Sequence, residues 1–246
     1  MGERTSTGGR SGWLTLLLGA VGVALAASAG LAAEGRASSI ALDFAARTPA
    51  KPSTMRLLLR YTKPGSPGAK PSPIRRLVID APAGTTFRSR GFPACHADDS
   101  EVMADGPSAC PGGSRIGGGP ITVLTGFGKP IDPFVSPTTV FNDGRGWLEV
   151  SETASQPRTT IAVTRLRVVG RRISGDIAAT PGGPPDGQSA VSTADLRFGA
   201  RRYVTTPPRC PRTLRWVTKA WFTFADGRTE PVRDTTPCTR SKRRTG

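Results

Sequence analysis

The chain has 246 residues, of which 37% are apolar, and a formal net charge of +16. That length suits one domain or two small ones, and the apolar content supports a core, which excludes wholesale disorder. A single long uncharged apolar run excludes a multi-span membrane protein, and the lack of self-similarity at periods of about 20–50 residues argues against a repeat fold.

The first element is a targeting segment. Met1–Gly12 is polar with Arg4 and Arg10, Trp13–Ala33 carries no charge, and Ala27-Ser28-Ala29 forms a small-residue cleavage pattern. This is the order of a secretory signal, so residues 1–33 are expected to be a signal peptide. An uncleaved anchor is the alternative, since the apolar run is long enough to span a bilayer. In either case the remainder is expected outside the cytoplasm, secreted or in the cell envelope. Residues 34–53 read as a linker, 54–239 as the folded domain and 240–246 as a basic disordered tail.

The domain reads as all-β. Met55–Tyr61 and Ile74–Asp80 are short alternating runs, and the Pro- and Gly-rich stretch Thr62–Pro73 between them is a loop. Ala97–Ala104 has room for a short helical turn. Ile121–Phe127 is a strand, followed by a loop over Lys129–Pro137. Thr138–Phe141 and Trp147–Val150 flank Asn142-Asp143-Gly144, whose Asp-Gly supplies the left-handed positions of a hairpin turn. Asn142 is the chain's one Asn. Thr160–Val169 is a long strand that turns at Gly170-Arg171-Arg172 into Ile173–Ala178. Thr180–Gln188 is a third loop, and Thr193–Phe198 is a further strand. Thr213–Phe224 alternates most clearly, with Leu214, Trp216, Ala220, Phe222 and Phe224 on one face. Asp226-Gly227 then makes a second hairpin turn. Many short strands with regular turns predict a β-sandwich or jelly-roll-like single domain after an N-terminal signal helix.

Four cysteines, Cys95, Cys110, Cys210 and Cys238, suit an oxidising compartment. Of three possible pairings, Cys95–Cys110 and Cys210–Cys238 are expected, because each is local and encloses turn-rich sequence. No C-x2-C spacing supports zinc, so no metal or other cofactor is expected.

The run Ala109-Cys110-Pro111-Gly112-Gly113-Ser114-Arg115-Ile116-Gly117 stands fifteen residues after Cys95, with a Pro82-Ala83-Gly84 turn before that and a Cys210-Pro211, Trp216, Pro237-Cys238 arrangement after it. Together these resemble a group of exported β-rich proteins of actinobacteria, over roughly residues 50–240. The resemblance implies export and a β-rich fold. It carries over no catalytic residue.

The chemistry-bearing patterns are sparse. Gly112–Gly119 lacks the Gly-Lys-Ser/Thr ending of a phosphate loop and reads as a turn into a strand. Ser114 lacks the second Gly of a nucleophile elbow, and His96 is the chain's one His. Asp98, Asp99, Glu101 and Asp105 form an acidic island, read as a solvated face or a local partner for Arg. Glu149 and Glu152 fall on opposite faces of one strand, so a two-carboxylate hydrolase would need Asp132, Asp176 or Asp195 as partner. Basic residues remain: Arg165 and Arg167 on one strand face, Arg171 and Arg172 at its turn, and Arg240, Lys242, Arg243 and Arg244 in the tail. They predict binding to an anionic cell-wall polymer, an acidic glycan or a membrane surface, with no dedicated nucleic-acid partner. A glycan-active hydrolase and a structural envelope component are the alternatives.

Overall fold

The computed structural model describes residues 38–66, 68–200 and 202–240. The expected signal segment, and Lys242, Arg243 and Arg244 of the tail, lie outside the described residues. Among the described residues no helix is long and apolar enough to cross a membrane.

Half of the fold's logic is alternation. The strands are β1 (Ser38–Phe44), β2 (Pro52–Ser53), β3 (Met55–Tyr61), β4 (Ile74–Asp80), β5 (Thr86–Phe87), β6 (Arg115–Leu124) and β7 (Phe134–Asn142). They continue with β8 (Gly146–Glu152), β9 (Thr160–Val169), β10 (Arg172–Asp176), β11 (Ala190–Phe198), β12 (Val204–Thr205), β13 (Arg215–Phe224) and β14 (Thr229–Pro237). Along β3, Met55, Leu57, Leu59 and Tyr61 are buried while Arg56 and Arg60 are exposed, the period-2 pattern of a sheet with one face in a core. The protein is all-β, as expected.

Eleven strands form one antiparallel sheet in the order β1-β3-β11-β6-β7-β8-β9-β10-β4-β13-β14, and β2, β12 and β5 form a small second sheet. The large sheet curls until its end strands meet in a near-barrel. The seam between β1 and β14 is closed by side chains: Ser38 N and Oγ donate to Glu230, Leu42 N donates to Asp234, and Thr236 Oγ1 donates to the Leu42 carbonyl. Two sheet edges are thereby covered, which removes the exposed edges that invite aggregation.

Several elements differ from the sequence expectation. Ser38–Phe44, expected within a linker, is β1, paired along its length with β3. Its Ile40, Leu42 and Phe44 face the core, an alternation hidden beside polar and small neighbours. The strand expected from Ile121 begins at Arg115 and runs through the glycines. A Cβ at Gly117 or Gly119 would come within 2.5 or 2.0 Å of the carbonyls of Arg197 or Asp195, so only Gly lets β11 approach this closely. Leu214 stands outside β13, with φ +53° and 43% exposure, instead of sharing the face of Trp216.

Both expected disulfides are present, Cys95–Cys110 and Cys210–Cys238. They fit an oxidising compartment. The first staples a flap containing α1 (Asp99–Asp105), whose N-terminus is closed by a capping box between Asp98 and Glu101. The flap's Val102 packs with Phe141, Leu148 and Val150, which face outward from β7 and β8. The barrel wall is therefore apolar on both sides here. The second disulfide clasps the ends of β13 and β14, beside Trp216, whose indole N–H donates to the Arg209 carbonyl.

Candidate functional site: an internal cavity around Glu149

Inward positions along the barrel change character from one end to the other. At the end where β8 begins, Trp147 is fully buried, lies 4.4 Å from the Phe198 ring and donates its indole N–H to Tyr203 at 3.0 Å. Phe87 meets Trp147 edge-on, and Phe92 meets Tyr203 edge-on. Burial pushes the Tyr203 hydroxyl up to about 12, against the hydrogen bonds from Ser89 and Trp147. Asn142, also fully buried, donates to the carbonyls of Ser89, Phe92 and Pro93 and so pins the segment that closes this end.

Beyond this plug the interior opens into a cavity of about 540 Å³. Its walls come from β3, β4, β6, β7, β8, β9, β11, the segment after β10 and Met103 of α1. The inward residues here are mostly small or aliphatic, Ala162, Thr164, Ala178, Val191 and Ala194 among them, with Phe134 the one aromatic ring in the lining. On the far side of the barrel Tyr61 stacks with Phe222 and Phe224 and fills the space. Hollow and filled halves thus follow from which strands carry rings.

The cavity reaches the surface near Met103, which is 44% exposed. β10 pairs with β9 over Arg172–Ser174 alone, so β9 from Thr160 to Leu166 has no ladder on that side. An irregularity between Ser151 and Glu152 further loosens the β8–β9 edge. Three loops gather at this end. Lys70, with 5% side-chain exposure, donates to Asp186 and to the carbonyls of Gly183 and Gln188. Gly183 N donates to the Thr125 carbonyl, and Asp132 accepts from Thr125, Gly126 and Gly128. The Pro- and Gly-rich stretches expected as loops are thus braced against each other, although β7 already begins at Phe134.

Glu149 is the one titratable side chain in the lining. β8 directs it inward between Trp147 and Ser151, opposite Val140 of β7 and Thr164 of β9. It has no hydrogen-bond or ion-pair partner among the described residues. Burial alone pushes its carboxyl up to about 7. Near neutral pH it can hold or release a proton, and when ionised it is an anion lacking a counter-charge.

The residues singled out by sequence lie elsewhere. Glu152 faces outward: a Cβ at Gly106 would stand 3.7 Å from Glu152 Oε1. Asp132 caps its turn, Asp176 pairs with Arg76, and Asp195 pairs with Arg56 on the outer surface, where the arginine holds its carboxyl below the ordinary range. None joins Glu149 in the cavity. Ser114 is fully buried and donates to the Pro111 carbonyl. His96 sits on the flap beside Asp98, Asp99 and Arg165. Among the described residues no three His, Cys, Asp or Glu side chains cluster as metal ligands.

Arg165 and Arg167 point outward from β9, with Arg171 and Arg172 at the β9–β10 turn. Arg165 bonds Asp99 at 2.7 Å and the Ala97 carbonyl, with Asp143 at 3.7 Å. Arg172 grips Asp80 through two nitrogens, and Arg171 bonds the Ala81 carbonyl and approaches the same Asp80. That contact with Arg172 holds Asp80 below the usual carboxylate range. Arg167 and Arg240 are exposed. Three of the four arginines along β9 and its turn therefore already face a carboxylate.

Sequence reasoning placed Glu149 on a strand and missed its setting. A carboxylate between Leu148 and Val150, two residues from an inward Trp147, is a usable signal: the strand carries apolar residues on both faces, so Glu149 falls on a face that packs against other elements. No protein-family model, no curated protein and no solved structure matches the chain.

Proposed function

We propose that this domain is a binding module that takes up a small, largely apolar molecule inside its barrel. The observation that carries the reading is the 540 Å³ cavity, lined mainly by apolar side chains around a single unpartnered carboxyl. Cavities of a few hundred Å³ with apolar walls and few polar groups are the usual form of small-molecule sites. Burial of a ligand's apolar surface supplies the affinity, at about 25 cal/mol per Å². Export, by the signal-like segment at residues 1–33, and an extracytoplasmic location complete the reading.

The surface reading, in which arginines bind anionic polymers, has less to rest on, since most of those along β9 are engaged with carboxylates. A two-carboxylate hydrolase needs a second acid across from Glu149, and among the described lining residues none is present.

The test is titration with N-phenyl-1-naphthylamine, a neutral fluorophore that brightens in apolar surroundings. The expected result is saturable, one-to-one binding that Ala162→Trp abolishes while the circular dichroism stays unchanged. Fluorescence that never saturates, or that the filled variant matches, would overturn the proposal.

A further inference from the structure

The hydroxyls in the cavity wall are largely committed to the protein. Ser136 Oγ donates to the Glu152 carbonyl, Thr160 Oγ1 to the Val102 carbonyl and Ser189 Oγ to the Pro181 carbonyl. Thr125 Oγ1 donates to Asp132, and Ser151 and Thr138 hydrogen-bond each other. Thr164 Oγ1, next to Glu149 across the β8–β9 ladder, accepts from Ala178 N. The strand amides of β3, β6, β7, β8 and β11 are held in ladders on both sides, while β9 from Thr160 to Leu166 pairs with β8 alone. Every other element around the cavity, from β3, β4, β6, β7, β9 and β11 to the segment after β10 and α1, presents neutral side chains to it.

A ligand's polar end therefore meets one carboxylate and, among the described lining residues, no cation. An anionic head group meets the ionised Glu149 as a like charge. A head group that donates finds a partner at Glu149, and a positively charged donor also supplies the missing counter-charge. Charge-assisted hydrogen bonds of this kind are about twice as strong as neutral ones. A buried carboxylate without such a partner is strongly unfavourable.

We infer that the cavity selects amphiphiles bearing a protonated amine, with the ammonium group seated on the Glu149 carboxylate and the hydrocarbon portion along β6, β9 and β11. This inference rests on the cavity-binding reading. It adds the chemical class of the ligand and the residue that discriminates it.

Selectivity then depends on pH in a defined direction. Simple alkylamines stay protonated up to about pH 10. Glu149 has to lose its proton to pair with the ammonium, and its carboxyl titrates near 7 in the empty cavity. Amine affinity therefore rises with pH through that region and levels off above it.

The experiment compares decylamine, decanol and sodium decanoate, which share one chain and differ in the head group. Each displaces N-phenyl-1-naphthylamine from the full folded domain at pH 5.5 and pH 8.5. The expected result at pH 8.5 is decylamine tighter than decanol by at least about tenfold, and decanol tighter than decanoate. Decylamine should tighten at least about tenfold from pH 5.5 to 8.5, while decanol changes little. Glu149→Gln should reduce decylamine to the level of decanol and remove its pH dependence. Equal affinities for the three head groups in the wild-type protein, or unchanged amine affinity in Glu149→Gln, would overturn the inference and leave the cavity reading standing. Failure of the fluorophore and of all three amphiphiles to bind would overturn both.

Discussion

Trp147 and Glu149 are consecutive inward residues of the same strand, yet they face opposite kinds of interior. Trp147 is enclosed by Phe198, Phe87 and Tyr203, and its one polar atom is bonded. Glu149 stands beside Thr164 of β9 on the cavity wall, and its carboxyl oxygens have no partner among the described residues. The difference lies in the neighbouring strands. Rings from β5, β11 and the segment before β12 reach the first position, and small residues from β9 and β11 surround the second. A β-barrel of this circumference leaves more interior than aliphatic side chains can fill. Where several aromatic rings meet, the barrel end is a packed core. Where a single ring, Phe134, faces small and aliphatic residues, it is a container.

Breaking the packed end should produce the largest effect. Trp147→Ala removes the centre of the ring cluster and one of the two hydrogen-bond partners of the Tyr203 hydroxyl, so denaturant unfolding should show a loss of about 3–5 kcal/mol. The flap is next. Cys95→Ala with Cys110→Ala frees the cover over Leu148 and Val150, and should cost about 2–4 kcal/mol by the same measurement.

Glu149 should show the reverse sign at high pH. Its folded-state carboxyl sits near 7, above its ordinary value of 4.5. The proton is thus held more tightly in the folded state, so stability is greatest below about pH 4.5 and falls as pH rises through 7. The loss reaches at most about 3 kcal/mol. Thermal or urea unfolding from pH 4.5 to 8 should show that decline in the wild-type protein and a flat profile in Glu149→Gln, which becomes the more stable of the two at pH 8. The smallest effects compare added methyl groups on the two sides of the interior. Ala162→Leu projects into open cavity and should change stability by less than about 1 kcal/mol, whereas Ala220→Leu, at a fully buried position of β13, should cost about 1–3 kcal/mol.

Much of the fold was legible in the residues. The alternation in β3, β9 and β13, the Asp-Gly turns and both disulfides could be read from local patterns. β1 could not, because Ile40, Leu42 and Phe44 are separated by small and polar residues and sit in a stretch that looks like a linker. Strand order was out of reach for a different reason. β3 pairs with β11 some 130 residues away, through contacts such as Leu57 with Leu196 that any aliphatic pair could satisfy. The cavity escaped because a small inward residue such as Ala162 or Ala194 looks the same in sequence whether a ring or a void lies opposite. Glu149 was the visible anomaly, and its meaning depended on knowing that both faces of β8 are covered.

The most direct test of the container account is the pH titration of the Glu149 side-chain carboxyl by carbon NMR, with and without decylamine. The account predicts a midpoint near 7 in the empty domain, and a marked fall when the amine is added and an ammonium group pairs with the carboxylate. A midpoint in the ordinary carboxylate range, unmoved by the amine, would contradict both the burial of Glu149 in the cavity and the ligand's seat within it.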